Sequence, residues 1–82
     1  MDSLQGLIEP KTEAILKTLL RHPDQLFHLN SLAKTAKIPV STTARIILRL
    51  VKFQFAEEIT VGKLSLYRLA QTPKTEKIKE LL

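Results

Sequence analysis

The strongest constraint on this chain is a break only three residues long. Leu32, Ala33 and Ala36 form the apolar side of one helical segment, and a second segment runs from Val40 to Phe53. Between them stands Lys37-Ile38-Pro39. Proline lacks a backbone donor, and the residue before it avoids the helical region, so one continuous helix is excluded. Two helices joined by so short a connection have the shape of a helix-turn-helix.

The elements around this pair follow from local chemistry. Pro10 suits the first position of a helix, where its missing N–H costs nothing. Ile15, Leu16, Leu19 and Leu20 then form an apolar stripe, and His22-Pro23-Asp24 stops the helix, predicting residues 10–21. Residues 1–9 carry Leu4, Leu7 and Ile8 without a period, as either a frayed arm or a first helical turn. Leu26-Phe27-His28-Leu29 reads as a short extended piece. Asn30 or Ser31 then caps the second helix, residues 31–37, and the third covers 40–53.

Residues 56–69 read as two strands around Gly62-Lys63. Glycine at the first central position fits a two-residue type II′ turn. That turn pairs Val61 with Leu64, Thr60 with Ser65, Ile59 with Leu66, Glu58 with Tyr67 and Glu57 with Arg68. Thr72-Pro73 opens a last helix, residues 73–82, striped by Ile78, Leu81 and Leu82. About ten residues are marginal for an isolated helix, so it packs either on its own domain or on a second subunit. The fold class expected is mainly α with a small β-hairpin.

Eighty-two residues allow one small domain. With only one Tyr and three Phe, its core is aliphatic. A domain this small is often marginal alone, which makes a homodimer an expectation. No apolar run reaches the ~20 residues of a membrane helix, and no secretory signal is visible at Met1-Asp2-Ser3, so a cytoplasmic protein is expected.

Charge is unevenly placed. The chain holds 13 Lys and Arg against 8 Asp and Glu, a net +5. From Gln25 to Ala56 there is no acidic residue, and the window contains Lys34, Lys37, Arg45, Arg49 and Lys52. The basic residues outside it balance the acidic ones, so the whole excess belongs to this segment. Such a segment inside a neutral body suits a polyanion.

On the third helix, at about 100° per residue, Ser41, Thr42, Arg45, Arg49 and Lys52 share one arc. Val40, Thr43, Ala44, Ile46, Ile47, Leu48, Leu50, Val51 and Phe53 occupy the uncharged remainder, expected to face the core. Small hydroxyl residues near the start of a helix let it approach a groove closely, and Arg grips guanine or phosphate. An ordinary solvated face would carry acidic partners, and this one has none.

The stretch from Leu32 to Leu50, with Ser41-Thr42, Arg45 and the Leu48-Arg49-Leu50 end, resembles the pattern of prokaryotic repressors of the ArsR and MarR families. Phe53-Gln54-Phe55-Ala56 stands where those families have Ala-Gly-Leu-Val, and Tyr67-Arg68-Leu69 matches their Tyr-x-Leu. The resemblance covers Lys11 to Leu69 and implies a winged helix-turn-helix: a three-helix core, a β wing and a short C-terminal helix. It implies that Ser41, Thr42, Arg45 and Arg49 lie on a recognition helix and Lys63 at the wing tip. Lys34, Lys37 and Lys52 complete the candidate DNA-binding set. Lys37 and Gln54 replace glycines of the pattern, and Pro39 replaces a serine cap. The wing tip Val61-Gly62-Lys63-Leu64 carries one charge between apolar residues. A strong wing–DNA contact is therefore not expected, and Val61 and Leu64 pack on the domain or on a partner.

Other chemistry is sparse. The chain has no cysteine, so thiolate metal sites are excluded. His22 and His28 are the only histidines, and a zinc site wants at least a third good ligand. Glu57 and Glu58 alternate across a strand and cannot act as a carboxylate pair. No enzyme, cofactor or metal is expected, and no effector pocket within so small a chain. The expected function is sequence-specific binding of double-stranded DNA by a homodimeric transcriptional regulator. The alternative is a protein-interaction winged helix, a subunit or adaptor docking through its apolar wing.

Overall fold

The computed structural model describes residues 9–81; most of the expected N-terminal arm, and Leu82, lie outside the described residues. Helix α1 spans Pro10–Arg21, with Pro10 at its first turn. Glu9 takes the N-cap position, and its carbonyl accepts from the Glu13 N–H at 2.8 Å. Ile15, Leu16 and Leu19 are buried, while Leu20 is only partly so.

The next segment departs from expectation. Strand β1 is only Phe27–His28, and helix α2 spans Leu29–Ala36, starting two residues before 31 and ending one before 37. Neither Asn30 nor Ser31 caps it. His28 does, with an extended backbone and its ring Nδ1 accepting from the Asn30 N–H at 3.2 Å. An imidazole nitrogen thus fills the role usually held by Ser, Thr, Asp or Asn, which is why residue-type preference misplaced the cap.

Helix α2 ends in a Schellman closure. The Lys37 N–H donates to the Lys34 carbonyl at 3.2 Å, and the Ile38 N–H reaches back to Ala33 at 3.0 Å. Closure requires a left-handed residue, and Lys37 supplies it at φ 62°, ψ 41°. Helix α3 spans Val40–Lys52, with Phe53 as its C-cap rather than its last residue. It closes the same way: Gln54 N–H to Val51 at 3.1 Å and Phe55 N–H to Leu50 at 2.8 Å, with Gln54 at φ 67°. Both left-handed positions are the ones where the ArsR/MarR-like pattern carries glycine.

Strands β2 (Ala56–Val61) and β3 (Leu64–Leu69) pair in the register that a two-residue turn dictates, from Val61↔Leu64 to Ala56↔Leu69. Gly62 sits at φ 63° while Lys63 does not share positive φ, as a type II′ turn requires. The hairpin gains a third strand that local pattern could not show. Phe27 pairs with Tyr67 and His28 with Leu66, giving the sheet order β1-β3-β2.

Helix α4 spans Pro73–Leu81. Thr72 and Thr75 cap it reciprocally: each backbone N–H donates to the other's hydroxyl, at 3.0 and 3.3 Å. Of its apolar stripe, Ile78 is buried in the domain's own core, so α4 packs on its own body. That core joins Ile15, Leu16 and Leu19 of α1 to Phe27, Leu32, Ile46, Ile47, Leu50, Tyr67 and Leu69.

A non-glycine residue in the left-handed region costs about 1–2 kcal/mol, and glycine returns part of this as unfolded-chain entropy. Gln54→Gly should therefore raise stability by about 0.5–1 kcal/mol, and Gln54→Val should lower it. Urea unfolding of the two variants beside the parent measures both signs.

Candidate nucleic-acid interface

Helix α3 is amphipathic because its residues divide between two jobs. Thr43, Ile46, Ile47 and Leu50 are buried against α2 and the sheet. Ser41, Arg45, Arg49 and Lys52 are exposed, and Thr42 is half-buried. Ser41, Arg45, Leu48 and Lys52 follow one another at spacings of four, three and four, so they form a single stripe along the helix. Neither arginine takes part in an ion pair among the described residues; the pairs present are Lys17–Glu13 and Arg68–Glu57. The cationic face of α3 is therefore electrostatically unspent.

One residue of that stripe was expected in the core. Leu48 is 59% exposed. The apolar arc drawn from the sequence is too wide. Val40, Leu48 and Phe53 are all exposed, so the arc that α3 buries is narrower than the span of its apolar residues. The spacing of Leu48 from Ser41 and Lys52 was the available signal for its true face.

The remaining candidate residues are spread over other elements. Lys34 is exposed on the last turn of α2. Lys37 lines a shallow concavity with Glu13, Lys17 and Arg21, which places it on the α1 side of the domain. Lys63 is exposed at the wing turn. Its neighbours Val61 and Leu64 are 58% and 44% exposed, so they do not pack on the domain.

The base of the wing is tied by charge. Arg68 Nε donates to Glu57 Oε1 at 2.6 Å, a half-exposed pair worth less than about 1 kcal/mol. Glu58 lies on the other face opposite Tyr67. Burial, and then the Glu58 carboxylate, push the Tyr67 hydroxyl above its usual 10.0, against a lowering hydrogen bond with Ser65. It therefore stays neutral at physiological pH. Sequence inspection missed one link: Lys74 of α4 donates to the Phe53 carbonyl at 3.4 Å and lies 5.9 Å from the Phe55 ring, holding α4 to the end of α3. Among the described residues, no cluster of His, Asp or Glu could hold a metal ion. No helix there is long and apolar enough to cross a membrane.

Solved structures share this order of elements. The antimony-specific transcriptional repressor AntR matches with a TM-score of 0.76 at 18% identity, over 95% of this chain and 68% of that one. The transcriptional repressor PagR of Bacillus anthracis matches at 0.71 and 22% identity, over 95% and 85% of the two chains. The fold is a winged helix-turn-helix. A third match is the homodimeric winged helix-turn-helix DNA-binding domain of a possible ArsR-family regulator from Mycobacterium bovis, with a TM-score of 0.72 at 17% identity, over 94% and 68%. All three are named as regulators or DNA-binding domains, and none as an enzyme. No protein-family model and no curated protein matches the sequence. In this winged helix α2 and α3 form the helix-turn-helix, β2 and β3 the wing.

Because neither Arg45 nor Arg49 has an ion-pair partner among the described residues, Arg45→Ala and Arg49→Ala should leave folding stability within about 0.5 kcal/mol of the parent. Thermal unfolding of each variant checks this. A larger loss would assign the arginines to the fold.

Proposed function

We propose that this winged helix binds double-stranded DNA in a sequence-specific manner as a transcriptional regulator, with α3 in the major groove. The observation that carries the reading is the exposed, acid-free stripe of α3, whose arginines form no ion pair among the described residues. Arg45 and Arg49 serve as base or phosphate contacts, Lys52 as a phosphate contact, and Ser41 and Thr42 as hydroxyls at the close approach. Lys34 and Lys63 flank the same duplex, and Lys37 adds charge from the turn between the helices. The structural neighbours named as repressors support the reading. A cytoplasmic homodimer fits it, since two copies read two half-sites and a neighbour of the same fold is homodimeric.

The test is affinity for a selected duplex against salt concentration. Each lost phosphate contact removes about 0.9 from the slope of log K on log salt. Arg45→Ala with Arg49→Ala should weaken binding at least tenfold and flatten the slope by up to about 1.8. A double variant with unchanged affinity and slope would refute the proposal.

A second reading rests on the exposed Val61 and Leu64 at the wing tip, which suit protein docking better than a minor groove. Val61→Asp with Leu64→Asp separates the two. Loss of dimerisation or of a partner with duplex binding intact assigns the wing to docking. Loss of duplex binding alone assigns it to the DNA interface.

A further inference from the structure

A single exposed leucine needs no explanation on most surfaces. Leu48 differs in its neighbours. Arg45 precedes it by three positions and Lys52 follows by four, so both cations flank it on one helical face, with Ser41 two turns earlier. All four side chains are exposed, and Leu48 at 59% is in the middle of the stripe rather than at a helix end. Whatever covers this leucine must also accept the cations on either side of it.

That requirement removes the common partners of an exposed apolar residue. A second copy meeting this face across a two-fold axis would set Arg45 and Lys52 against the partner's own cations. A lipid surface favours a broad apolar face, and this one offers a lone leucine in a polar stripe. A polyanion that presents an apolar group between acceptors fits. The B-form major groove is such a surface: guanine and phosphate oxygens accept from arginine and lysine, and the thymine C5-methyl is the apolar group on its floor. Duplex RNA does not qualify, because its major groove is too narrow for side chains and uracil lacks the methyl.

We propose that Leu48 reads a thymine methyl group in the major groove, as a specificity-determining contact of the recognition helix. This rests on the duplex-binding reading above. Three residues along a helix advance about 4.5 Å, close to one base-pair step, so the thymine lies about one pair from the base that Arg45 reaches.

Deoxyuridine isolates the interaction, since it differs from thymidine by that methyl alone. Sites are first selected from a random duplex library with the full chain. Each thymine of the selected site is then replaced by deoxyuridine in turn. One replacement should weaken binding about fourfold, the worth of one buried methyl, and the others should not. Leu48→Ala should bind the thymine and deoxyuridine duplexes equally, and Leu48→Gln should lose the thymine preference at that position. The measurement on the parent protein stands even if a variant folds poorly. A selected site whose affinity is insensitive to every replacement overturns the role of Leu48 and leaves duplex recognition in place. Equal sensitivity in parent and Leu48→Ala overturns it too, as does a change of oligomeric mass in Leu48→Ala with no thymine dependence. Selection of no duplex sequence at all overturns the duplex-binding reading itself.

Discussion

Two left-handed residues hold the geometry of this domain. Lys37 and Gln54 each reverse the chain after a helix through paired backbone bonds, and the residue that follows each turn is delivered to the core side. After Lys37 that residue is Ile38, packed against the core, and after Gln54 it is Phe55, buried within it. The first reversal sets α3 across α2; the second starts β2 directly after the helix. Neither position carries glycine, so each turn is held against a local conformational cost by what its neighbour buries. Fully burying a phenylalanine contributes about 1.5–3 kcal/mol, enough to offset the about 1–2 kcal/mol of a left-handed residue.

Those reversals leave α3 free to carry an exposed face with cations and no acidic residue. The helix is anchored by Thr43, Ile46, Ile47 and Leu50 on one side and by Lys74 at its C-terminal end. Its exposed side chains are then free of structural duty. Arg68 shows the contrast: it is half-buried, paired with Glu57, and committed to the base of the wing. The difference between these arginines lies in what the fold brings near them.

Local chemistry made much of this legible. Pro10 and the apolar stripe behind it placed α1, and Gly62-Lys63 dictated every pair of the hairpin, because a two-residue turn leaves no other register. Lys37 and Gln54 stood out as departures from glycine, and both proved to be left-handed. What escaped inspection depends on distant partners. β1 is a strand only because Phe27 and His28 meet Tyr67 and Leu66, some forty residues on. His28 caps α2 through a ring nitrogen, which cap preferences do not anticipate. Leu48 was placed inward because a helical wheel assigns apolar residues to the core by type. The extent of the buried arc is set by how many elements pack on the helix, and α3 is covered on one side only.

The C-terminal helix bears on what a partner would have to cover. Too short to stand alone, α4 meets that need within the chain: Thr72 and Thr75 cap it, Thr75 and Ile78 are buried, and Lys74 ties it to α3. Folding of the helix therefore does not require a second subunit. The large apolar side chains left exposed among the described residues are Leu81 on α4 (70% exposed), Val61 and Leu64 on the wing, Val40 and Leu48 on α3, Phe53 at its C-cap, and Leu26 before β1. Cations surround only Leu48 on both sides, whereas the wing pair has a lone lysine between its members. A polyanion can satisfy the first surface and gains little from the second. An apolar partner can cover the wing and would meet repulsion or unpaired charge on α3. The two surfaces thus demand different chemistry, and occupation of one leaves the other open.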